Sequence, residues 1–290
     1  GVSLSAATVI VNVVAVGVTV VATYFLARQV LLNVGWSLIA TAVVSVLAAT
    51  VRVGSYLWTE ALFTALLTVA LALVAWAVRN RQAPWWLVVA SGALIALATA
   101  VRYVGVVAVP IVIVAIAWAA RDKRVIKTLV AGAVGGLGLV VVAARNVSIG
   151  APAFGERYPG SLTFEGALSS LVLQWGEYIA PSRTTTLTIV AGSIVGLVIV
   201  LGIWLVVVHR NAAGMVVGLF VAVYWIAILV SQVGTRLDVV TERFGSPVLA
   251  SSVVLFLVAI RSVHGMASDQ LAALLRISRE RVFRGLSVAL

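Results

Sequence analysis

The chain has no cysteine, two histidines, six prolines and nine acidic residues among its 290. Without cysteine there can be no disulfide, no thiol nucleophile and no thiolate metal site. His209 and His264 stand far apart, so a histidine metal pair is not expected, although a divalent metal held by carboxylates stays open. The scarcity of charge is more telling: 10% of residues are charged and 63% are hydrophobic, with a mean hydropathy of +1.18. A soluble domain carries about a quarter charged residues. The excess of 20 basic over nine acidic residues does not form one basic face, as a nucleic-acid binder would show, so nucleic acid is not an expected partner.

Apolar runs of about 20 residues recur along the chain. They are too long for barrel strands and lack period-two alternation, so they read as membrane helices. About nine runs can be placed, near 6–26, 33–51, 60–78, 85–102, 104–120, 127–145, 187–208, 213–233 and 246–261. The fourth and fifth meet at "VRYVG" and are expected to form a tight hairpin. The expected fold class is all-α, a polytopic transmembrane bundle over 1–261. A basic amphipathic tail follows over 262–290, with Leu271, Leu275, Val282 and Leu286 near one face.

Basic residues orient the runs. One set of connections holds Arg28, Arg79, Arg81, Arg121, Lys123, Arg124, Lys127, Arg210, Arg261, Arg276, Arg279, Arg281 and Arg284. The other holds Arg52, Arg102, Arg145, Arg157, Arg183, Arg236 and Arg243. The richer set is expected in the cytoplasm. Glu60, Glu156, Glu165, Glu177, Asp238 and Glu242 then gather on the outer side, leaving only Asp122, Asp269 and Glu280 inside. Mixed charge at helix ends on one face points to a polar site there. The connection 146–186 contributes to that face and contains a stripe of Phe164, Leu168, Leu171, Val172, Trp175 and Ile179, read as an amphipathic helix lying on the outer leaflet. A helix packed on neighbouring spans is the competing reading.

Three stretches carry a family likeness. "SYLWTEALFTALLTVALALVAWAVRNRQAPWWLVVASGALIALATAVRYVGVVAVP" resembles the central region of polytopic GT-C fold glycosyltransferases, among them the protein mannosyltransferase, ArnT-like and RgtA–D-like groups. "ARNVSIGAPAFGERYPGS" is similar to their outer Arg-Asn and Gly-x-Arg loop, and "LDVVTERFGSPVLASSVVLF" to a late Arg-aromatic-Pro segment. The resemblance implies an extracytoplasmic site in a plasma-membrane protein. There a sugar passes from a polyprenyl-phosphate donor to a glycan, lipid or protein acceptor, with inversion.

Such chemistry needs an apolar groove for the donor lipid and cations for the departing phosphate. It also needs a carboxylate to take the acceptor proton. Under the resemblance, Glu60 supports catalysis, and Arg102, Tyr103 and Arg243 bind the donor phosphate. Arg145, Asn146, Arg157 and Tyr158 are loop candidates. Each has a plainer reading. Glu60 can favour a helix dipole by ~0.3–1 kcal/mol, and in the functional reading Glu60→Gln is expected to lower turnover with little effect on folding. Arg102 can snorkel. Asp238 and Glu242 can form interfacial salt bridges. Gly132 and Gly136, like Gly192 and Gly196, have helix-packing spacing, not that of a phosphate loop.

One departure matters. The family carries its catalytic Asp in the first outer loop, and here no acid precedes Glu60. The expectation is that this chain is a fragment, inactive alone, whose main base lies upstream. A secondary transporter or a non-catalytic membrane scaffold is the alternative.

Overall fold

The computed structural model describes residues 4–55, 59–154, 160, 162–179, 184–235 and 244–264, and every regular element among them is helical. The order is α1 (Leu4–Leu31), α2 (Val34–Val46), α3 (Ala48–Ser55), α4 (Glu60–Asn80) and α5 (Trp85–Val101). After the 3₁₀ turn Tyr103–Val107 come α6 (Ala108–Ala119), α7 (Arg124–Ser148), α8 (Phe164–Ile179), α9 (Thr185–Val208), α10 (Ala212–Gly234) and α11 (Phe244–His264). The basic tail lies outside the described residues, as do Arg157, Tyr158 and Arg243.

Each of the nine expected runs coincides with helix, but length divides them. Among the described residues six helices are long and apolar enough to cross a membrane, and a seventh span arises if α2 and α3 count as one. That pair bends by 50° at Leu47, which takes an extended conformation. The hairpin runs, Trp85–Val101 and Tyr103–Ala119, are shorter apolar helices. The expectation of about nine full spans is therefore reduced to six or seven, because an apolar run does not reveal where its helix breaks. The chain is an all-helical, multi-pass membrane bundle.

The centre is α4. It is buried nearly all round, with Phe63, Leu67, Ala70, Val74, Ala75 and Ala77 fully enclosed, and it is ringed by α1, α5, α6 and α10. Alanine and glycine let the backbones approach, the usual basis of helix packing where water supplies no hydrophobic drive. On α7, Gly132 packs as expected, since a Cβ there would lie 3.0 Å from the Ile113 side chain of α6, whereas one on Gly136 would meet nothing within 4 Å; the close approach to α5 is at Gly138, where a Cβ would lie 2.4 Å from the Ala96 carbonyl. On α9, Gly192 does pack, since a Cβ there would come within 1.8 Å of the Val172 carbonyl of α8.

That contact settles how α8 sits. It buries Ala167, Ser170, Leu171 and Gln174 and packs antiparallel on α9, with Gly176 beside Thr188 and Val172 beside Gly192. Only part of the expected stripe turns inward, for Phe164 and Leu168 remain exposed. The helix packs on α9 through Gly176 and Gly192, with Phe164 and Leu168 left outward.

The two ends of the bundle differ. At the base-rich end, four non-glycine residues with left-handed backbone close the turns: Leu32, Arg81, Lys123 and Arg210. The last carbonyls of α1 are capped there from three other segments. Arg79 Nη1 donates to Arg28 O (3.0 Å), Asn211 Nδ2 to Val30 O (2.8 Å), and Arg261 Nη1 to Leu31 O. Cationic groups at a helix C-terminus also complement its dipole. On the same side Lys127 Nζ bonds Asp122 Oδ1 (2.7 Å) and sits 5.6 Å from the Trp85 ring centre.

Candidate functional site

The opposite end holds a buried carboxylate. Glu60 opens α4 and is 1% exposed. Arg102 follows α5 in extended backbone, φ −145° and ψ 122°, and donates through Nη1 to Glu60 Oε1. The turn that delivers it is tight. Gly105 N donates to Arg102 O at 2.8 Å, and a Cβ on Gly105 would lie 2.7 Å from the Thr99 nitrogen. Glycine is therefore required for the chain to fold back on α5.

Aromatic rings wall the pair. The Arg102 guanidinium carbon is 5.9 Å from the ring centres of Phe63 and Phe244, so α4 and α11 clasp it between them. Each face contributes cation–π attraction of ~0.5–2 kcal/mol. From α10, Tyr224 is 1% exposed and lies within electrostatic reach of both charges, yet its hydroxyl has no hydrogen-bond partner among the described residues. Thr64 Oγ1 and Ser246 Oγ pair at 3.4 Å one turn deeper. A buried carboxylate and guanidinium are costly to desolvate, and removing either one takes from the other a charged hydrogen-bond partner. The guanidinium offers five N–H donors and keeps 16% of its side chain exposed, so it can bind Glu60 and an anionic group together.

Beside Phe244, its neighbour Gly245 lines an apolar cavity of about 140 Å³ shared by α2, α8, α9, α10 and α11. Leu47, at the α2–α3 bend, and the edge-to-face pair Trp175–Trp225 form its walls. Two buried polar atoms border it without partners among the described residues, Trp225 Nε1 and Ser252 Oγ. This space matches the ~150 Å³ that takes a benzene-sized apolar group and is too small for a sugar. A second polar group of the same end, Ser170, Gln174 and Gln232, joins α8 to α10, with Ser170 Oγ 3.5 Å from Gln232 Oε1.

The structure thus unites Glu60 with Arg102 across 42 residues of sequence. Tyr103 turns away, 37% exposed, against Phe154 at 6.1 Å between ring centres, and ties the hairpin apex to the connection after α7. Asn146 acts locally, for its Nδ2 donates to Ala153 O at 3.1 Å and braces that connection. Arg145 is exposed in the last turn of α7. Phe63, Tyr224, Trp225, Phe244, Gln174 and Gln232 escaped the sequence reading, which weighed charged residues; glutamines inside apolar helices were the missed signal. Among the described residues no three His, Asp or Glu side chains converge as a metal site would require.

Comparison of the chain with protein-family models, curated proteins and solved structures found no match.

Proposed function

We propose that this chain is the membrane part of a glycosyltransferase that moves a sugar from a polyprenyl phosphate to an acceptor hydroxyl at the acid-bearing end of the bundle. The observation that carries this reading is the buried Glu60–Arg102 pair between Phe63 and Phe244, beside an apolar cavity. In the reaction the acceptor oxygen attacks the anomeric carbon, the bond from that carbon to the phosphate oxygen breaks, and the acceptor proton goes to a carboxylate. Polyprenyl phosphate leaves with added negative charge. Arg102 supplies N–H groups to it, and Glu60 fixes the guanidinium so that little reorganisation is needed. The cavity receives an apolar segment of the carrier next to its phosphate. The acid-bearing end is expected outside the plasma membrane.

The test is a transfer assay on the full-length protein with a panel of polyprenyl-phosphate sugars, reading released polyprenyl phosphate. Release with at least one donor, lost in a folded Arg102→Met variant, supports the reading. No release across the panel, by protein that melts cooperatively, refutes it. A second reading has one observation in its favour: the 50° break between α2 and α3 borders the cavity, and transporters build sites at broken helices. Solute uptake into proteoliposomes that is abolished by Arg102→Met, with no polyprenyl phosphate released, would decide for transport.

A further inference from the structure

A larger concavity lies elsewhere, on the outer flank of α1, α4 and α5. It encloses about 670 Å³ and is lined by Gly17, Val18, Phe25, Gln29, Trp76 and Trp86, among others. Along α1 it runs from Val14 to Gln29, a length of ~22 Å at 1.5 Å per residue. Half the hydrocarbon thickness of a bilayer is ~15 Å, so the groove covers one leaflet and reaches its headgroups. Its upper part is open because of Gly17, where a Cβ would meet nothing within 4 Å.

Gln29, the polar residue of the lining, marks its lower end. Gln29 Oε1 accepts from Arg79 Nη1 at 3.2 Å, which anchors that guanidinium at the mouth. Arg28 and Arg81 flank it in sequence, and no acid stands in either connection. Trp76 and Trp86 line the same end, where indoles favour the boundary between tails and headgroups.

We propose that this groove is a binding site for an anionic membrane phospholipid, one acyl chain lying along Gly17–Phe25 and the phosphate meeting Arg79. The apolar walls exclude a polar ligand. The cationic mouth selects among lipids by headgroup charge, each arginine near the surface favouring an anionic lipid about fivefold. This site is separate from Glu60 and Arg102 and does not depend on the transferase reading.

Native mass spectrometry of the full chain, extracted from mixed phosphatidylcholine–phosphatidylglycerol vesicles, tests it. The wild type should retain phosphatidylglycerol in preference to phosphatidylcholine. Gly17→Phe fills the groove and should reduce that retention about tenfold, whereas Gly17→Ala should leave it intact. Arg79→Gln should weaken phosphatidylglycerol about fivefold and phosphatidylcholine little. Circular dichroism confirms folding, and Gly17→Leu serves if the phenylalanine variant does not insert. Equal retention of both lipids by the wild type overturns the proposal. So does undiminished phosphatidylglycerol on a folded groove-filling variant, or a dimer that the same substitution disrupts without any change in lipid.

Discussion

Replacing Glu60 and Arg102 singly and together is the sharpest test of what the buried pair does. Arg102 makes a charge-assisted hydrogen bond with Glu60, of the kind worth ~1.5–3 kcal/mol, and faces two rings at ~0.5–2 kcal/mol each. Glu60→Gln keeps the shape but leaves a cation clasped by Phe63 and Phe244 without its carboxylate partner. Breaking a buried pair in this way costs ~3–5 kcal/mol. The sequence-based expectation of little effect on folding is therefore revised: at ~2 °C per kcal/mol, the melting midpoint in detergent should fall by roughly 6 °C or more. Arg102→Met should cost a similar amount, because the buried carboxylate loses its bond from Arg102. The double variant Glu60→Met/Arg102→Met removes both charges and leaves apolar side chains of fitting length, an exchange that is often neutral or stabilising. It should melt near the wild type, giving a coupling of at least ~6 kcal/mol, while any transfer activity is lost. A double variant that melts at the sum of the singles within ~0.5 kcal/mol would show the two side chains to be independent and refute the coupling.

Three further outcomes are expected. Gly192→Leu should destabilise by ~1–3 kcal/mol or more, because its Cβ would enter the Val172 carbonyl, whereas Gly136→Ala should be neutral or stabilise by up to ~1 kcal/mol; thermal melts of both check the packing faces. Asn211→Ala removes the cap on Gly214 N (2.9 Å) and the bond to Val30 O, and should lower stability by ~2–3 kcal/mol, with Asn211→Ser recovering part of the loss. The Lys127 hydrogen bond holds the Asp122 carboxyl below the usual carboxylate range, so its contribution is complete above the ordinary value of ~3.9 and fades as pH falls through the lower folded value. Asp122 is exposed, so this limb is shallow; melts between about pH 2 and 6 should lose it in Asp122→Asn.

The helices were legible because long apolar runs in a bilayer have few alternatives to helix. What the runs could not reveal were breaks within them. Leu47 interrupts α2–α3 in a stretch with neither glycine nor proline, and only packing around the cavity singles it out. Glu60 and Arg102 were each named from the sequence, but their pairing was not, since nothing local links residues 42 apart. The rings that hold Arg102 looked like any lipid-facing aromatic. The glycines of α7 were legible in part for a related reason: spacing identifies a candidate stripe, while rotation of the helix sets Gly132 against α6, Gly138 against α5 and Gly136 against neither. Arg243, Arg157 and Tyr158 lie outside the described residues.

The capped end of α1 has a consequence for how the protein is made. Its final carbonyls accept bonds from Arg79, Asn211 and Arg261, and the last of these partners is 230 residues downstream of Leu31. At 5–20 residues per second, a ribosome takes roughly 10–50 s to travel that distance. During this wait α1 must keep its end in the hydrated headgroup zone, where water can serve the carbonyls. The arrival of α11 then fastens the earliest of these helices to the latest, so completion of the bundle is a discrete event in biogenesis, and a chain arrested before Arg261 carries an open end for quality-control proteases to find.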